Sequence, residues 1–113
     1  MEPIQNTQAF PNICNALIIL SSKWAFPVMA ELSNGPMRFK QLQRSTKVIT
    51  TQSLTDTLRM LEKAGVVNRE VFPTVPVTVE YSLTESGIEF KTVLNEMDNW
   101  ATKWGKPVLS TSN

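Results

Sequence analysis

Apolar positions along the chain change period twice, from helical to extended and back. Residues 12 to 20, NICNALIIL, are apolar nearly throughout and predict a buried helix, interrupted by Ser21 and Ser22. A second helix is predicted over Lys23 to Leu32, with Ser22 as N-cap and a stop at SNGP. There Gly35 can take a left-handed cap and Pro36 prevents continuation. Pro27 lies about one turn inside this segment, which predicts a distorted first turn or a later start. A short helix follows at about Phe39 to Arg44, with Phe39 and Leu42 three apart on its inner side. Thr50 or Thr51 then caps a longer helix in which Leu54, Leu58 and Leu61 fall at i, i+4 and i+7, forming one narrow apolar stripe that ends at Gly65.

After Gly65 the pattern becomes extended. VVNREVF (Val66 to Phe72) and VTVEYSL (Val77 to Leu83) are rich in β-branched and aromatic residues, and PTVP between them makes a hairpin loop stiffened by proline at both ends. Thr84 is the N-cap of a last helix from about Glu85 to Trp104. Its apolar residues Ile88, Phe90, Val93, Leu94, Met97, Trp100, Ala101 and Trp104 spread too widely around the axis for packing on a small domain alone. Two short helices in tandem followed by a hairpin predict a mainly α fold with a small β-hairpin wing, a winged helix-turn-helix, as a single DNA-binding domain over residues 1–113. The N-terminal helix (about 12–20) and the C-terminal helix (about 85–104) are expected to dimerise it through Ile13, Leu17, Leu20, Leu94, Met97, Trp100 and Trp104. The competing expectation is that Trp100 and Trp104 fold back on their own core.

Composition narrows the chemistry. With no histidine and one cysteine, the usual zinc ligand sets and most routes to nucleophilic catalysis are missing, and no glycine-rich phosphate loop occurs; the expectation is no enzyme, no metal and no cofactor. A lone Cys14 cannot form a disulfide within the chain. No apolar run of membrane-spanning length occurs either, so a cytoplasmic protein without a membrane partner is expected. The net charge of +1 hides an uneven distribution. From Arg38 to Arg69 seven basic residues face two acidic ones, a local +5 that the flanks offset with −4. Such a block suits a phosphate-binding face.

At about 100° per residue, Gln52, Asp56, Arg59 and Lys63 cluster opposite the leucine stripe, with Thr51, Ser53 and Thr55 around the N-terminal end. These residue types can hydrogen-bond base edges in a major groove. The expected partner is therefore double-stranded DNA, read by a homodimer on a pseudo-palindrome. Gln52, Ser53, Thr55 and Arg59 are the candidates for base reading or groove lining. Arg38, Lys40, Lys63 and Arg69 are the candidates for phosphate contacts. Asp56 would repel phosphate unless neutralised, and Arg59 is its expected local partner. The wing tip lacks Arg and Lys, so Arg69 at the hairpin base is the better phosphate candidate.

Cys14, SSKW (Ser21 to Trp24), GPMRFKQLQR (Gly35 to Arg44), SLTDTLRMLEKAGVVNREVFPTVPVTVEYSLTESG (Ser53 to Gly87) and a late Trp100 together resemble the HxlR family of bacterial winged helix-turn-helix transcriptional regulators, which are MarR-like. The likeness spans about Asn12 to Trp104. It implies a homodimer joined by its terminal helices, the helix from Thr51 to Ala64 in the major groove and the hairpin as wing. Ser21-Ser22 stand where Gly-Gly is more usual, and Pro27 is unexpected. In some members of the family a cysteine at the position of Cys14 senses oxidants or electrophiles, which makes Cys14 a redox-sensing candidate. Against this, NICNALI supplies no nearby cation to activate the thiol, and a cysteine among apolar residues is commonly a small core residue. Two other functions stay open: a winged-helix protein-interaction module, and a regulator whose effector is a small ligand held among Trp24, Phe26 and Trp100.

Overall fold

The computed structural model describes residues 10–107. Eight elements follow in order: α1 (Ile13–Leu20), α2 (Ala25–Leu32), β1 (Met37–Arg38), α3 (Phe39–Thr46), α4 (Thr51–Lys63), β2 (Val67–Phe72), β3 (Thr78–Leu83) and α5 (Glu85–Trp104). The core lies where α2, α3 and α4 meet the base of the hairpin. Val28 and Leu32 of α2, Leu42 of α3, and Leu54 and Leu61 of α4 are each almost wholly removed from solvent, and Val66 and Val67 close the layer from the sheet side. The three-leucine stripe of α4 is thus its buried face, as its spacing predicts.

The second helix starts later than Lys23. It begins at Ala25, with Trp24 at the N-cap position and no side-chain cap, so Ser22 does not cap it. Pro27 explains the shift: three residues into α2 its missing N–H is one of the donors that a helix leaves unpaired in its first turn. The third helix runs two residues beyond Arg44 to Thr46. It is followed by a tight reversal at Lys47, whose φ of 67° and ψ of −76° are those of a γ-turn closed by Val48 N–H donating to the Thr46 carbonyl at 2.9 Å. Thr50 then caps α4, its Oγ1 accepting from Ser53 N–H at 3.0 Å.

Each strand of the hairpin starts one residue later than its composition suggests, at Val67 and Thr78, and the hairpin acquires a third strand that the sequence pattern did not reveal. β1 pairs antiparallel with β3, giving the order β1-β3-β2, with Met37 opposite Tyr81 and Tyr81 opposite Arg69. A two-residue strand carries too few positions to show alternation.

α5 begins at Thr84 as predicted, and its first turn is fastened to the end of α4. Thr84 Oγ1 donates to the Gly65 carbonyl at 2.6 Å and accepts from Gly87 N–H at 3.1 Å, while Thr84 N–H donates to the Val66 carbonyl at 3.1 Å. Gly87 is buried against that same peptide, and a Cβ there would lie 2.2 Å from Val66 O. Only Phe90 and half-buried Leu94 continue the packing; from Asn95 to Trp104 the helix is exposed on every face. Trp100 and Trp104, at 63% and 62% exposure, do not fold back on the core. α1 is similar: Ile19 is its one buried residue, and Ile13, Leu17 and Ile18 are open to solvent, so the N-terminal helix is not buried within the chain. No single helix among the described residues is long and apolar enough to cross a membrane.

Candidate nucleic-acid interface

The N-terminal end of α4 is held by side chains of its own and of α3. Gln43 Nε2 donates to Thr51 Oγ1 at 3.1 Å, tying the end of α3 to the first turn of α4. Gln52 Nε2 donates to Asp56 Oδ1 at 2.9 Å. This corrects the expected Asp56–Arg59 pairing: Asp56 is met by Gln52, one turn before it, because Arg59 is turned toward the sheet. Gln52 is exposed and Ser53 and Thr55 half-buried at the N-terminal end of α4, whereas Arg59, also exposed, lies about one turn beyond Thr55.

Basic residues gather in two clefts, one beside this helix and one between α3 and the wing. Between α4 and the hairpin, Thr55, Arg59 and Glu62 face Arg69 and Tyr81 across a cleft of about 360 Å³ with Phe39 at its edge. On the other side of the sheet, Arg38, Lys40 and Arg44 line a cleft of about 730 Å³ against the wing segment from Pro76 to Glu80. Arg38 is placed by the α3 N-terminus, where its N–H donates to Gln41 Oε1 at 2.8 Å. Arg44 is a member of this group that the candidate set omitted; its position in the basic block was the available signal. Lys63 is not brought together with the others. It lies at the far end of α4, in a groove with Asn12, Asn15 and Ile19 of the α1 region.

The wing tip is shaped by Thr74, whose Oγ1 lies 2.8 Å from the Pro76 carbonyl and 3.0 Å from Thr78 Oγ1. The tip presents Val75, fully exposed, and Val77. Cys14 is exposed, which excludes the reading of it as a core residue. The expected aromatic pocket does not form as drawn. Trp24 packs against the core, Trp100 stands in solvent, and Phe26 alone lines a cavity of about 280 Å³ between α2 and α5, with Met29, Leu94, Lys91 and Asp98. Among the described residues no three His, Cys, Asp or Glu side chains are grouped as a metal site would need.

These features can be set beside known proteins. The family model described as HxlR-like helix-turn-helix matches residues 19–108. The HTH-type transcriptional regulator YvaP of Bacillus subtilis (strain 168) is 35% identical over 104 residues, covering 92% of this chain and 96% of that protein. Among solved structures, the reduced form of the transcriptional regulator YodB from B. subtilis superposes with a TM-score of 0.80 at 34% identity, covering 86% of this chain and 95% of that one. The redox regulator HypR in its oxidized form gives a TM-score of 0.72 at 35% identity, over 81% and 95% of the two chains. A tandem of helices whose second member is buried on leucine and open on its polar side, a β-hairpin wing, and a match over most of the chain agree: the protein belongs to the HxlR family of winged helix-turn-helix transcriptional regulators.

Proposed function

We propose that the protein is a sequence-specific DNA-binding regulator that acts as a homodimer on a pseudo-palindromic operator. α4 enters the major groove with Gln52, Ser53 and Thr55 toward the base edges, and the two basic clefts hold the backbone. The observation that carries this reading is the placement of Arg59 and Arg69 in one cleft and Arg38, Lys40 and Arg44 in the other, both walled by the same hairpin. A basic face unused by DNA, as in a protein-interaction module, has no need of cations in two clefts that share the wing as a wall.

Dimerisation is supported by the exposure of Ile13, Leu17 and Ile18 on α1 and of Met97, Trp100 and Trp104 on α5. Half-buried Leu20 and Leu94 extend the same two surfaces. Side chains of this size left in water on two helices form a patch that a second copy of the chain can cover. Cys14 lies on α1 beside Ile13, so oxidation or alkylation of its thiol alters the joint between subunits and with it the angle between the two α4 helices. Its exposure and the likeness to a redox regulator support this role.

Fluorescence anisotropy tests the reading, with the intergenic DNA beside the protein's own gene and a scrambled duplex titrated across a salt series. Tight binding that prefers the native duplex and weakens steeply with salt is expected. Weak binding that is equal on both duplexes and insensitive to salt sinks it. Quantitative thiol modification is expected to change affinity for the native duplex, and Cys14→Ser to abolish that change.

A further inference from the structure

The α4–hairpin cleft contains more than a basic patch. Thr55, Arg59 and Glu62 come from one side of α4, being spaced i, i+4 and i+7. Arg69 stands on β2 directly opposite Tyr81 of β3, so the two side chains share one face of the sheet. Two residues earlier on that face Val67 is buried in the core, which turns the face, and Arg69 with it, toward α4. The two arginines thus enter one cleft of about 360 Å³ from opposite walls, with the hydroxyl-bearing Thr55 and Tyr81 beside them and Glu62 as the single acidic residue of the lining.

We propose that Arg59 and Arg69 clamp one phosphate of the DNA backbone between the recognition helix and the wing, and that Glu62, the one carboxylate lining the cleft, opposes that phosphate by like charge. The inference rests on the DNA-binding reading above and refines it, because Arg59 becomes a backbone contact and leaves the set of base readers. Two guanidinium groups facing one cleft repel each other unless an anion lies between them, and their planar forks match the oxygens of a phosphate. The Glu62 carboxylate, three residues along the helix from Arg59, lines the same cleft and repels a phosphate held there. On DNA, a phosphodiester at the edge of the groove that α4 occupies meets both forks and the two hydroxyls. Glu62 thereby weakens binding to every sequence alike, lowering non-specific affinity without touching base readout.

The test uses the full-length protein and both duplexes over about 50 to 200 mM salt. Arg59→Ala and Arg69→Ala are each expected to weaken native and scrambled duplexes by the same factor. Because a shared phosphate stays partly neutralised by the remaining arginine, each single variant lowers the salt slope by less than about 0.9, and the double variant by about 0.9. Glu62→Gln is expected to tighten binding to both duplexes about fivefold, from the Coulomb energy of one removed like charge a few ångströms from the phosphate. All three side chains are exposed, so the variants are expected to keep the wild-type circular dichroism spectrum. A loss on Arg59→Ala confined to one base pair of the operator overturns the clamp in favour of base reading. A fall of about 1.8 in the slope of the double variant overturns it in favour of two separate phosphates, and unchanged affinity of Glu62→Gln removes the opposing role of Glu62. Wild-type protein without salt-sensitive binding refutes DNA binding itself, and that outcome is read before any variant is compared.

Discussion

Asp56 illustrates how far single residues could be read in advance. On a helix its neighbours include Gln52 at i−4 and Arg59 at i+3, and spacing alone favours neither. The choice falls to Gln52 because the β2 strand offers Arg59 a cleft, and strand positions are set by sheet register, which local spacing does not encode. The same limit applies to Lys63, which shares a helical face with Arg59 in projection yet lies about 6 Å along the axis, beside α1. At this scale Gln52 supplies a prediction. With its amide nitrogen held by Asp56, Gln52→Ala is expected to cost about 1–3 kcal/mol on the operator and to relax preference at one base pair, as measured by anisotropy on single-substitution duplexes. An equal loss on all duplexes would mean that Gln52 lines the groove without reading it.

Elements were more legible than residues, and for a physical reason. α4 and α5 carry side-chain caps at Thr50 and Thr84 and apolar stripes several turns long, so their starts and faces follow from local chemistry. α2 carries no side-chain cap, and its start had to be inferred from Pro27, whose tolerance at the third position is a property of helix ends. β1 and the γ-turn at Lys47 were hidden because both are made by pairing and closure. A residue other than glycine held at φ 67° is strained, so Lys47→Gly is expected to leave stability unchanged or raise it by up to about 1 kcal/mol in urea unfolding. Gly87→Ala goes the other way. Helix propensity alone would favour alanine by about 1 kcal/mol, but the new Cβ meets the Val66 carbonyl oxygen at 2.2 Å. Overpacking against backbone at a fastened turn is expected to win, lowering stability by about 1–3 kcal/mol net. A stabilised Gly87→Ala variant would show that the junction is loose.

For the whole molecule, the sequence made the wide apolar spread of α5 visible without showing where it ends up. The structure places the second half of that helix clear of the chain's own core, so its aromatic residues are free for a partner copy. Trp100→Glu combined with Met97→Glu is expected to shift sedimentation from dimer to monomer, to leave the circular dichroism of the monomer intact, and to weaken operator binding by more than tenfold. The last effect follows because a monomer engages one half-site instead of two linked ones. Persistence of the dimer would move the interface to α1 alone.

The joint at Thr84 and Gly87 bears on how such a dimer would transmit a signal. α5 extends about 30 Å from a fulcrum fixed by two hydrogen bonds from Thr84 to the peptides that close α4. A lever arm of that length converts a shift of about 5 Å at its far end into about 10° of rotation at the fulcrum. There is no flexible linker to absorb the motion, because Gly65 and Val66, the residues that end α4, are the ones Thr84 grips. A modest chemical change among the aromatic residues of the far end would therefore steer α4 as a rigid tiller steers a rudder.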